Sequence, residues 1–181
     1  MQAHIFAEGS TTTADSRDQP VKEYYKGLFS IILGLDNDLS EVTETHLHVL
    51  SEDYGIAEGD ERMSAVYEKE QVPVGKDAMA DRAKSTLLSA AAEADIMVIL
   101  LSTDVFESTV GDVWDELAET AKSESVWCIG AARSSLKGIE LGQLESKGCA
   151  ILTYRRVGVA PLGSDTREEL LGIVRQRASQ K

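Results

Sequence analysis

Wherever an apolar run of this chain ends, side chains able to do chemistry begin. The run at 3–7 (AHIFA) gives way to Glu8 and Ser10, with three threonines behind them. The run at 45–51 (THLHVLS) ends on Ser51 and is followed by Asp53 and Tyr54. The run at 95–101 (DIMVILL) leads into Ser102 and Asp104, and 125–130 (SVWCIG) leads into Arg133 and Ser134. The run at 149–154 (CAILTY) leads into Arg155 and Arg156. Ser51 could donate a hydrogen bond at its strand end. Tyr54 could stack on a base, with Gly55 permitting a turn beside it. Asp53 is the neighbouring candidate for a catalytic carboxylate. An arginine facing such a site could hold a phosphate bidentately. Glu8, Ser10, Ser51, Tyr54, Ser102, Asp104, Arg133 and Ser134 are therefore the candidate substrate-binding residues.

These residues share an edge only if the runs are parallel strands of one sheet. The order of elements supports that. Val21, Tyr25, Leu28, Phe29, Ile32 and Leu35 recur at helical spacing, and Asp36-Asn37-Asp38 is expected to end their helix. Residues 76–94 read as a second helix with a narrow stripe of Met79, Ala83, Leu87, Ala90, Ala91 and Ala94. DIMVILL is apolar on both faces, as in a parallel strand covered by helices. Helices are further expected at 112–122, at 139–146 and from Thr166 to Arg177, the last capped by Ser164 or Asp165. A Gly-containing polar stretch, including Tyr54-Gly55 and Glu58-Gly59-Asp60, follows the second strand with no element assigned to it. Strands separated by helices imply right-handed crossovers and a three-layer α/β sandwich with a mainly parallel sheet of about five strands. The whole chain, 1–181, is expected to be one domain. In such sheets ligands bind outside the carboxyl ends of the strands. The stretch from Gly9 to Pro20 is long for a loop, and long loops in compact domains are often functional.

Familiar signatures are missing. No phosphate loop, dinucleotide fingerprint or nucleophile elbow occurs. His4, His46 and His48 lack a metal-ligand spacing, although His46 and His48 share a strand face. Cys128 and Cys149 lie in apolar runs and read as core thiols. No metal site is expected, and the sequence does not indicate which cofactor, if any, the protein uses.

Two local patterns resemble known families. The run HVLSEDYGI, beginning at His48 and preceded by YYKGLF at 24–29, resembles the L-S-x-x-Y-G signature of an uncharacterised domain family related to the bacterial peroxide-stress protein. Tyr25 and Phe29 match the helix that precedes the signature in that family, and Glu58 and Asp60-Glu61 match its acidic stretch. Its members carry a Cys- and Lys-containing loop after the first strand, where this chain has Glu8-Gly9-Ser10. The resemblance covers roughly 1–110. It implies a uracil-DNA-glycosylase-like α/β fold and binding of a nucleobase, nucleotide or nucleic acid, with Ser51 and Tyr54 at the site. The second pattern, at 94–117, is a buried strand ending in Ser, then a W-x-E-L helix. It resembles Toll/interleukin-receptor-type domains and nucleoside deoxyribosyltransferases. That resemblance implies action at an N-glycosidic bond with Glu116 as the catalytic carboxylate.

Composition bounds the rest. The net charge is −13, from 31 acidic and 18 basic residues. Such a surface repels phosphate backbones, so a generic nucleic-acid-binding surface is not expected. The acidity suits a halophilic cytoplasm, where salt screens the repulsion. No apolar run reaches the ~20 residues of a membrane span, and no signal peptide is evident, so a cytoplasmic protein is expected. Two functions follow. One is a nucleotide-, nucleobase- or nucleic-acid-handling protein, acting on a small nucleotide-like ligand at an N-glycosidic bond. The other is a non-catalytic module that binds a protein partner or builds an assembly.

Overall fold

A computed structural model describes residues 1–70 and 73–181. Among them, six strands form one sheet in the order β3-β2-β1-β4-β5-β6. The strands are β1 (Gln2–Glu8), β2 (Glu44–Ser51), β3 (Gly55–Glu58), β4 (Ile96–Leu100), β5 (Val126–Ala131) and β6 (Ala150–Arg155). All neighbours run parallel except β2 and β3, which form an antiparallel hairpin. The three-layer α/β reading holds, with one strand more than expected.

β4 and β5 are buried along their whole length, because helices cover both faces of the sheet. On one face lie α1 (Val21–Tyr24), α2 (Phe29–Ser40), α3 (Met63–Lys69) and α9 (Ser164–Ser179). Their apolar side chains pack on Ile5, Val49, Val98 and Cys128. On the other face lie α4 (Gly75–Glu93), α5 (Thr103–Phe106), α6 (Trp114–Thr120), α7 (Arg133–Lys137) and α8 (Gly142–Ser146). They pack on Phe6, Leu50, Ile99 and Trp127. The alternation of faces along each strand thus divides the core into two layers.

Four local differences from the sequence reading have physical causes. The helix expected from Val21 to Leu35 is broken. Tyr25 is extended (φ −82°, ψ 136°) and pairs with Thr13, and Gly27 takes φ +67°. Asp36-Asn37-Asp38 does not end α2. Asp36 is buried within the helix, 3.7 Å from the Lys22 ammonium, and Arg167 pairs with Asp38. The stretch after Tyr54 is not all loop. Gly55, at φ +89°, turns the chain into β3, and an added Cβ there would lie 2.7 Å from Arg82 Cδ. Helix α9 begins at Ser164 with Gly163 as its cap residue, and neither Ser164 nor Asp165 caps it.

Three histidines line the α4-facing side of β1 and β2. The rings of His4 and His46 stack at 4.9 Å, those of His4 and His48 at 5.1 Å, and Phe6 stacks on His48 at 4.5 Å. His4 Nδ1 and His48 Nε2 share a hydrogen bond of 2.8 Å, both residues being buried. At the ends of this pair, His48 Nδ1 lies 2.8 Å from Glu58 Oε1, and His4 Nε2 lies 3.6 Å from Glu93 Oε1. Neither end contact has hydrogen-bond alignment. His46 approaches Glu44 and Gln2 instead, each at 3.2 Å. Burial, followed by the charges of His48 and His46, lowers the His4 pKa to about 4.

Candidate functional site

The crossover direction reverses at β1. The β1–β2 connection passes over the face covered by α2, and the β3–β4 connection passes over the face covered by α4. The carboxyl ends of β1 and β4 therefore flank a topological switch point, the usual ligand crevice of a doubly wound sheet. Glu8 closes β1 and Ser102 follows β4. The Ser102 hydroxyl donates to Glu8 Oε1 at 2.9 Å, and the Ser102 backbone N–H donates to Oε2 at 2.6 Å. Glu8 thus satisfies the start of α5 from the neighbouring strand.

Glu8, Gly9 and Ser10 form a wall with a cavity on each side. The larger, of about 540 Å³, lies over the ends of β1 and β2. Ser10, Thr11, Thr13 and Arg17 reach it from the loop after β1, and Ser51, Glu52 and Asp53 reach it from the β2–β3 turn. Tyr24, Tyr25 and Tyr67 supply rings, and Met79 and Val105 supply apolar surface. The smaller cavity, of about 230 Å³, opens toward Leu28, Ile32, Leu100, Arg156 and Val159.

Local bonding holds the larger cavity in shape. Ser10 Oγ donates to the Thr12 and Lys26 carbonyls at 2.7 and 3.0 Å, pinning the loop to the broken helix. Ser51 Oγ accepts the Asp53 N–H at 3.1 Å, a turn that serine side chains favour. Gly9 is required by close approach, since an added Cβ would lie 2.4 Å from the Tyr25 ring. The hydroxyls of Tyr25 and Tyr54 are 2.7 Å apart, and the Tyr67 hydroxyl donates to Asp53 Oδ2 at 2.9 Å. The Arg17 guanidinium lies 3.7 Å above the Tyr67 ring. Burial, more than the neighbouring charges, pushes the Tyr25 hydroxyl up to about 12 and raises Tyr54 and Tyr67 as well. All three tyrosines are neutral hydrogen-bonding groups near neutral pH. The charged groups at the cavity are Glu8, Glu52 and Asp53 against Arg17.

The structure distributes the expected site residues unevenly. Glu8, Ser10, Ser51 and Asp53 line the larger cavity. Tyr54 lies beneath its wall, 2% exposed and edge-on to Tyr67 at 5.9 Å. Ser102 is bound to Glu8, and Asp104 is exposed on α5. Arg133 and Ser134 are exposed on α7 and line neither cavity. Glu116 is exposed on α6 and lines a separate cleft of about 360 Å³ with Asp112, Asp115 and Glu140. Trp114 and Leu117, its neighbours in W-x-E-L, are core contacts, and the Trp114 indole donates to the Glu140 carbonyl at 2.7 Å. The strand-end rule also brings Glu52 to the cavity, but sequence reasoning did not name Arg17 or Tyr67. The loop length from Gly9 to Pro20 was the available signal for Arg17, and no signal marked Tyr67.

Among the described residues, no group of three or more histidine, cysteine, aspartate or glutamate side chains is placed to hold a metal ion. No helix among them is long and apolar enough to cross a membrane. Compared with protein families, curated proteins and solved structures, the chain matches none.

Proposed function

We propose that this protein binds a nucleoside or free nucleobase in the larger cavity at the switch point. The observation that carries this reading is the lining of that cavity. Hydroxyls and carboxylates surround a tyrosine ring, at the carboxyl edge of a doubly wound sheet. A volume of about 540 Å³ suits a small organic ligand. Tyr67 offers a ring for base stacking, and Asp53 offers an acceptor for sugar hydroxyls. Three carboxylates against one arginine favour an uncharged ligand over one bearing phosphates. The reading assigns any step at the N-glycosidic bond to Asp53, which reaches the cavity, and not to Glu116. A partner-binding module would not need a polar cleft of this size at the switch point.

Calorimetric titration in high salt with nucleosides, free bases and nucleoside monophosphates tests the proposal. Nucleosides or bases are expected to bind, and the matching monophosphates to bind at least tenfold more weakly. Stacking on an aromatic ring is worth about 1–3 kcal/mol per base, so Tyr67→Ala should weaken binding roughly tenfold or more. Glu116→Gln should bind as the parent does. A flat response across the panel, or an unchanged affinity in Tyr67→Ala, overturns the reading.

A further inference from the structure

We infer that the smaller cavity is a second binding site, one that takes a small apolar carboxylate. Its inner wall is Phe29, Ile32 and Leu100, all nearly fully buried. Its rim carries Leu28 and Val159, exposed by 44% and 74%. With Val157 they are the exposed large apolar residues among those described, so two of the three border one cavity. A chain of net charge −13 that leaves apolar side chains at one cleft marks that cleft for an apolar ligand.

Arg156 sets the charge of that ligand. Its guanidinium makes one long contact, 3.5 Å to the Val159 carbonyl. Among the described residues no carboxylate lies within ion-pair distance of it, whereas Arg62, Arg82 and Arg167 each have one. Glu8, also on the wall, has both carboxylate oxygens engaged by Ser102. The cavity therefore offers an apolar wall and one planar cation able to bind a carboxylate bidentately. Its volume of about 230 Å³ exceeds the ~150 Å³ that admits benzene, which leaves room for one ring or short chain with its carboxylate. The site does not rest on the nucleoside reading, because neither Tyr67 nor Asp53 lines it.

Phenylacetate is the probe, with benzyl alcohol and inorganic phosphate as the neutral and non-apolar controls. Calorimetry should show phenylacetate binding at least tenfold more tightly than either control. Arg156→Ala should lose at least tenfold for phenylacetate and little for benzyl alcohol. Val159→Asp, at an exposed position that does not disturb folding, should likewise weaken phenylacetate binding by repulsion. Equal binding of phenylacetate and benzyl alcohol, no binding at all, or unchanged affinity in Arg156→Ala overturns the inference. So does concentration-dependent dimerisation that Val159→Asp abolishes, since a second copy would then be the occupant.

Discussion

Replacing His4 by phenylalanine should remove a distinct part of the acid sensitivity of this protein. The folded His4 takes up a proton only near pH 4, whereas in an unfolded chain it does so near 6.5. Between those values the unfolded state binds more protons, so stability falls as pH drops from about 6.5 to about 4. At 1.36 kcal/mol per pH unit the whole window is worth roughly 3 kcal/mol. The substitution keeps a ring in the stack with His46 and His48 but leaves His48 Nε2 without its 2.8 Å partner. That loss should cost about 1–3 kcal/mol at neutral pH. The variant should therefore be the weaker protein at pH 7 and nearly equal to the parent by pH 4.5. Urea unfolding followed by the fluorescence of the buried Trp114 and Trp127 measures both curves. Taking the difference between them cancels the titrating groups that do not interact with His4. Asp36, for example, is raised by burial and acts with the opposite sign, while Asp95 is lowered and loses its contribution in more acid solution. Parallel curves from pH 7 to 4.5 would refute the role given to His4.

Two further expectations concern the core. Gly130→Ala would place a Cβ 2.7 Å from the Pro161 carbonyl oxygen and 2.9 Å from Leu100 Cδ2. The first of these is backbone and cannot swing aside, so the substitution should cost about 1–3 kcal/mol. That corresponds to a fall of roughly 3–10 °C in Tm, and an unchanged Tm in a thermal scan would contradict the packing. The Cys128 thiol is fully buried and pushed up to about 12 by that burial, whereas Cys149 is half-buried near the Ser125 hydroxyl. Mass spectrometry after maleimide treatment should find Cys149 labelled in the native protein and Cys128 only after unfolding. Native labelling of Cys128 would contradict its burial.

The parallel sheet was legible because its central strands are apolar on both faces, and IMVIL is too short for a buried helix. β3 was not legible. It is four residues long, and half of its alternation is alanine and glutamate. Its existence depends on Arg82 donating to the Tyr54 carbonyl and on the positive φ of Gly55, both tertiary matters. The break between α1 and α2 was hidden for a similar reason. Val21, Tyr25 and Phe29 keep helical spacing, yet the pairing of Thr13 with Tyr25 overrides it. At the site, the strand-end rule found Glu8, Ser51 and Asp53 because each ends a strand or lies within two residues of its end. It could not find Arg17, which is brought over the Tyr67 ring when Ser64 N–H binds the Arg17 carbonyl. The separation of Glu116 from the crevice was equally invisible, since sequence spacing does not say which side of α6 faces solvent.

The position of β1 also dictates an order of assembly. Among the described residues it is the link in the sheet between the β2–β3 hairpin and the β4–β5–β6 half. Its two partners arrive at different times during synthesis, Gln2 meeting Glu44 and Ala3 meeting Ile96. One edge of β1 can be satisfied once β2 has emerged, but the other must wait roughly fifty residues longer, until β4 has. Over that interval an apolar strand keeps an open edge, and long-range parallel pairing of this kind is slow. β1 thus keeps one edge open while everything from β3 to the start of β4 is made.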